Sequence, residues 1–274
     1  MGTLNALAPY TGAVQAAEVG GVEPGYVTGG SWEIPQAVTP TNAIGMLRSI
    51  HGGLIVPTCS IECHQPVLAL LSGMLRTAST SSVTCASVVV SDADTIWTLS
   101  SPQPSGFTVR GAVGEPLTAT LGYQAALAAN TGSPITMTGP SGITDLWYEI
   151  GVTVDTVAYH CQSFDITLNT NPTPYGHCDT KSTNKRFPTS ILLGVQDVTL
   201  ALTLAKQLPI AGVTADAIDH AIDVVITGPD VTFTFADLLQ PDLSVGLMGD
   251  SGLVTYSYNF QAEKQLGILT IAAT

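Results

Sequence analysis

Gly249-Asp-Ser-Gly252 is the stretch of this 274-residue chain whose residue types best suit chemistry. A serine in a tight turn can be activated by a nearby histidine, and adjacent backbone N–H groups can bind the oxyanion formed when it attacks a carbonyl. Ser251 is the candidate nucleophile, and His160, in Ala158-Tyr-His-Cys161, is the candidate base. The competing reading is an ordinary turn ahead of a strand, because Leu247 and Leu253 flank the motif.

Cys59-x-x-x-Cys63-His64, His160-Cys161 and His177-Cys178 supply the ligand types of a zinc site. Adjacent residues on a strand point to opposite faces, so each His-Cys step offers one ligand easily; this favours small buried thiols and surface histidines. Asp216, Asp219 and Asp223, with His220 among them, line one side of a possible short helix over 214–223. They lack the crowded oxygens and the glycine of a calcium loop, which favours a solvated acidic face. Glu149 and Asp165 could sit on neighbouring strands, but nothing marks them as a glycosidase pair. No nucleotide-binding loop is present, and no cofactor or metal is expected.

The Gly-Asp-Ser-Gly turn resembles the nucleophile turn of chymotrypsin-like serine proteases, and Ala158-Tyr-His-Cys161 is loosely similar to that family's sequence around its histidine. The likeness stops at Leu253-Val254, where the family has Gly-Pro, and too few residues follow to complete a second barrel. Enzyme chemistry is not expected, and a serine hydrolase using Ser251 with His160 is kept as an alternative.

The elements that must position these residues are mostly strands. Val67, Leu70, Leu71, Met74 and Leu75 fall on one helical stripe, predicting a single helix over Pro66–Arg76. Pro66 suits its first turn and Arg76 the C-terminal end of its dipole. Strand signals follow at Val83–Val90, Phe107–Val113, Pro116–Tyr123, Leu146–Val154, Ala158–Leu168, Ile191–Leu204, Asp223–Thr227, Val231–Phe235, Leu253–Phe260 and Leu266–Ile271. The expected fold is mainly β, a β-sandwich or barrel with one packed α-helix. Residues 1–35 show neither period and read as an extended N-terminal arm, leaving 36–274 as the β domain. A long polar loop, 170–188, interrupts it and holds Lys181, Lys185 and Arg186.

Charge bounds the partners. Only 11% of residues are charged, 21 acidic against 8 basic, giving −13, and the mean hydropathy is +0.33. A typical domain carries about 25%. Such an exterior tolerates burial against other copies and suits self-association with one acidic face; an acidic monomer is the alternative. Dense phosphate binding is disfavoured. No apolar run reaches the ~20 residues of a membrane span, and residues 1–19 show no secretory signal. Five cysteines without a regular framework suit a reduced cytoplasmic setting.

Three stretches carry a further likeness: Asp145-Leu-Trp-Tyr-Glu-Ile-Gly-Val-Thr-Val, Val157-Ala-Tyr-His-Cys-Gln-Ser-Phe-Asp-Ile-Thr-Leu-Asn, and Val254-Thr-Tyr-Ser-Tyr-Asn-Phe-Gln-Ala-Glu. Their order of polar hairpin, strand with short turn, and closing strand with alternating aromatics resembles the major tail tube protein of long-tailed bacteriophages. The resemblance implies a structural virion protein whose inner sheet closes with copies of itself into rings, commonly hexameric. Stacked rings would form a conduit for DNA ejection.

It further implies that the helix packs on the sandwich and that residues 1–35 and the 170–188 loop join successive rings. Lys181, Lys185 and Arg186 are then the candidate inter-ring contacts. Asp92, Asp94, Asp145, Glu149, Asp155 and Asp165, held by strands and tight hairpins, are the candidate lumen-facing acids. Expected partners are further copies of the chain and other tail proteins, with genomic DNA passing unbound and no membrane. The expected location is the virion tail, after assembly in the host cytoplasm. A capsid decoration or coat protein is the alternative within the same setting.

Overall fold

Alternation of apolar and polar residues is the dominant local signal, and it builds an antiparallel β structure. A computed structural model describes residues 10–35, 38–41, 49–76, 87–92, 95–130, 135, 137, 146–147, 150–176, 187–205, 208, 222–229, 231–239, 242–248, 253–262 and 267–273. The strands begin with β1 (Tyr10–Ala13), β2 (Ala16–Val19), β3 (Tyr26–Ile34), β4 (Val38–Thr41), β5 (Ser49–Gly52) and β6 (Thr58–His64). After helix α1 (Leu68–Gly73) come β7 (Ser87–Ser91), β8 (Ile96–Ala112), β9 (Glu115–Pro116), β10 (Thr118–Ala129), β11 (Leu146–Trp147) and β12 (Ile150–Val154). The chain continues with β13 (Val157–Asn169), β14 (Thr173–Tyr175), β15 (Ser190–Leu192), β16 (Asp197–Leu204) and β17 (Ile222–Thr227). It closes with β18 (Val231–Leu238), β19 (Asp242–Met248), β20 (Leu253–Gln261) and β21 (Leu269–Ala273).

Fifteen strands join one continuous antiparallel sheet that folds over itself. Its first layer runs β1-β3-β6-β10-β8-β13-β16-β20-β19. Strand β13 serves two layers. Its residues 163–169 pair with β8, whereas residues 157–161 pair with β12, which leads to β17, β18 and β21. A register irregularity between Cys161 and Ser163 marks the place where the strand changes layer. Strand β8 is shared in the same way, because its start, 96–100, pairs with β7, which pairs with β2.

The core lies between the layers. Phe164 of the first layer meets Phe233 of the second at 5.8 Å between ring centroids and Trp147 at 5.3 Å. Such tilted aromatic contacts add about 1 kcal/mol each to the area they bury. Ile61, Leu121, Val109, Ile166, Leu200 and Phe260 fill the inner face with 0–1% exposure. The expected mainly β sandwich with a packed helix is what forms.

Two sequence expectations change. The helix covers only Leu68–Gly73, with Val67 as N-cap and Met74 as C-cap. Arg76 lies beyond it and docks elsewhere: its main-chain N–H donates to Gln196 Oε1 at 2.9 Å and its Nη1 to the Gly194 carbonyl at 3.2 Å. Leu71 and Met74 are still buried, as the stripe requires.

The stretch read as an arm contains β1, β2 and β3, all paired into the sheet. A bulge between Val27 and Gly29 breaks the period in β3, so alternation was hidden there although Trp32 is buried against Trp97, 5.1 Å away. The polar loop also begins and ends in a hairpin, β14 with β15. Its residues 177–186, with Lys181, Lys185 and Arg186, lie outside the described residues.

Candidate functional site

The outer face of the first layer is the surface whose composition is least like an ordinary exterior. Register places Glu62, Thr120, Thr108, Thr167, Thr199 and Gln261 in one row across six strands. The next row is His64, Thr118, Arg110, Asp165, Ala201 and Asn259. Threonine hydroxyls make up four of the six positions in the first row, because β10, β8, β13 and β16 alternate Thr outward with Val, Leu, Ile or Phe inward. Arg110 is the sole Lys or Arg on the strands of this layer.

Asp165, a lumen candidate, sits in the middle of that face. Its Oδ2 accepts from Arg110 Nε at 2.5 Å and its Oδ1 from Thr167 Oγ1 at 3.3 Å. Asp92 occupies the turn between β7 and β8, where its Oδ1 accepts from the Thr95 N–H at 2.7 Å and the Thr95 hydroxyl at 2.8 Å. Asp155 begins the β12–β13 turn. Its φ of 44° and the 74° of Thr156 give the left-handed pair that tight hairpins favour.

Asp155 Oδ1 accepts from the Asp223 N–H at 3.0 Å, and Asp223 Oδ1 accepts from the Asp237 N–H at 3.1 Å. The Asp223 carboxylate thus caps backbone. The three described lumen candidates stand on separate elements, and Asp94, Asp145 and Glu149 lie outside the described residues. Sequence reasoning missed Glu33 and Glu62, both exposed on the outer face; the alternation Thr58, Ser60, Glu62, His64 against Cys59, Ile61, Cys63 could have found the strand.

That alternation also decides the thiols. Cys59, Cys63 and Cys161 are free and buried, and burial pushes each up to about 12. His64 points to the opposite face of β6 from Cys63. Among the described residues no group of three or more His, Cys, Asp or Glu is arranged to hold a metal ion. Cys85, His177, Cys178, Asp216, Asp219 and His220 lie outside the described residues.

His160 is exposed on β13, opposite Gly151, and its carbonyl accepts from the Ala205 N–H at 3.4 Å. Ser251 lies outside the described residues, and its position relative to His160 is not described. Among the described residues no helix is long and apolar enough to cross a membrane.

Fold and surface together define a β-sandwich, with Cys59, Cys63 and Cys161 shut inside and polar groups spread over a broad sheet face. The sequence pattern of the phage tail tube protein family matches residues 37–262, and the chain belongs to that family. It is a structural component of a phage virion tail, and family membership implies self-assembly, association with other tail proteins and a non-enzymatic role. No curated protein matches the chain. Strands β1 to β3 precede the matched stretch and are nevertheless built into the same sheet.

Proposed function

We propose that copies of this chain close into rings, hexameric as the tail tube resemblance implies, and that stacked rings form a conduit for DNA ejection whose wall is the outer face of the first layer. The threonine row of β10, β8, β13 and β16, with Glu33, Glu62 and Asp165, carries this reading. A wall without free bases gives phosphates nothing to adhere to, and repetition around a ring strengthens its negative field.

Ring closure follows from the edges of the same layer. Among the described residues β1 pairs only with β3, and β19 only with β20, so each end of the layer has one open edge. Pairing the two edges between neighbours removes both and closes the ring. The lumen assignment extends to Asp92 and Asp155 in their turns and, by sequence, to Asp94, Asp145 and Glu149.

Lys181, Lys185 and Arg186 are assigned to contact the acidic body of the next ring. Assembly takes place in the host cytoplasm, and DNA passes without specific binding. Negative-stain microscopy of the purified protein tests the assembly: hollow rings or tubes of constant width are expected, and isolated monomers at all concentrations overturn it. Replacing the three bases by Ser should weaken tube assembly most at low ionic strength, where charge pairs are least screened. Unchanged tube length and yield in every salt removes the inter-ring role.

A further inference from the structure

The threonines of the first layer form a hydrogen-bonding array that its own contacts leave incomplete. Thr120 on β10 stands opposite Thr108 on β8, Thr108 opposite Thr167 on β13, and Thr167 opposite Thr199 on β16. All four point outward, Thr120 and Thr199 exposed and Thr108 and Thr167 partly exposed. Neighbouring strands lie about 4.8 Å apart, so a hydroxyl recurs at about that interval along the row.

Each hydroxyl has one hydrogen to donate and two lone pairs that accept. Thr167 Oγ1 donates to Asp165 Oδ1 at 3.3 Å, so its only hydrogen is taken. Thr108 Oγ1, 3.5 Å from Thr167 Oγ1, is therefore the donor of that pair. With both hydrogens directed along the face, Thr108 and Thr167 present lone pairs to solvent. The Thr120 and Thr199 hydroxyls have no protein partner among the described residues, so their hydrogens are free.

Water suits the two remaining gaps. Set about 2.8 Å from two oxygens that are about 4.8 Å apart, it subtends an angle of about 120°, near its tetrahedral preference. Such a water donates to the central threonine of each gap and accepts from the outer one. Bridging water of this kind is nearly as favourable as a direct hydrogen bond.

We propose that the row binds water as an ordered file, one molecule between Thr120 and Thr108 and one between Thr167 and Thr199. Asp165 is the positioning residue, because it sets the direction of the hydroxyls between them. The site belongs to the single chain, and its consequence rests on the conduit reading above. On a tube wall the file is a held layer that keeps phosphates against water instead of side chains.

The test is a density map of the full chain that resolves bound water. One peak is expected about 2.8 Å from both Thr120 Oγ1 and Thr108 Oγ1, and another from Thr167 Oγ1 and Thr199 Oγ1. Thr167→Val keeps the side-chain shape without the hydroxyl and should lose the second peak, whereas Thr167→Ser should retain it. Thr199→Val tests the same water if Thr167→Val does not fold. In solution, Asp165→Ala should shorten the residence of both waters several-fold in water–protein Overhauser spectra, with native circular dichroism. Unchanged residence overturns the part given to Asp165. A map that shows other bound waters but none here, or a peak that persists in Thr167→Val, overturns the file and leaves the tube standing. Peaks on a chain that forms no rings overturn the conduit and keep the site.

Discussion

Arg110 and Asp165 stand directly opposite each other on β8 and β13, and the Arg110 Nε donates to Asp165 Oδ2 at 2.5 Å. The side chains are 69% and 32% exposed, so solvent screens the pair and its contribution to stability is below about 1 kcal/mol. Its consequence is electrostatic. The sole guanidinium on the strands of the first layer is held against a carboxylate in the middle of its outer face.

Freeing that guanidinium should change adhesion without changing the fold. Asp165→Asn is expected to shift stability by no more than about 1 kcal/mol in urea, while tubes of the variant retain double-stranded DNA in cosedimentation at low salt. Arg110→Ala combined with Asp165→Asn should abolish that retention. Equal DNA retention by wild type and Asp165→Asn would refute a role for the pair in keeping the wall non-adhesive.

The buried thiols predict an alkaline loss of stability. Burial raises Cys59, Cys63 and Cys161 from 9.0 to about 12, so the folded state disfavours the thiolate. Below pH 9 both states hold the protons and the contribution is complete. Between pH 9 and 12 the unfolded chain ionises first, and stability falls. The thermal midpoint should therefore decline over that window, less steeply when the three cysteines are replaced by Ala. In native protein at pH 8 these three thiols should resist a disulfide reagent that labels them at once in urea.

Gly106 should be intolerant of any side chain. Its φ is 142°, and a Cβ there would collide with the Leu168 carbonyl oxygen on the neighbouring strand. Gly106→Ala is expected to cost at least about 2 kcal/mol, from backbone strain and displacement of β13. A urea midpoint equal to wild type would contradict this.

Much of the β architecture was legible because alternation is a local property. Phe164, Ile166 and Leu168 against Asp165 and Thr167 announce one buried and one solvated face before any partner strand is known. The helix was legible for the same reason, although its length was not. The stripe continues to Leu75, but the chain leaves the helix after Gly73, where Arg76 bonds Gln196 and Gly194, 120 and 118 residues away.

The candidate site was less legible. Cys59, Cys63 and His64 suggested ligand chemistry because cysteine and histidine have that chemistry wherever they occur; the strand turns both thiols inward and His64 outward. Asp165 could be named from its strand. Its partner Arg110, 55 residues earlier, could not, because cross-strand register is a long-range property.

By itself the sequence determined composition, the scarcity of charge, the alternation that makes strands and the likeness to tail tube proteins, since each is written within a few neighbouring residues or summed over all of them. The tertiary structure alone decided which strands meet. It made β13 serve two layers, drew β1 to β3 into the sheet, and aligned polar side chains from six strands into rows. Such rows exist only when hydrogen-bond registers across the whole layer are fixed together, and no local period contains that information.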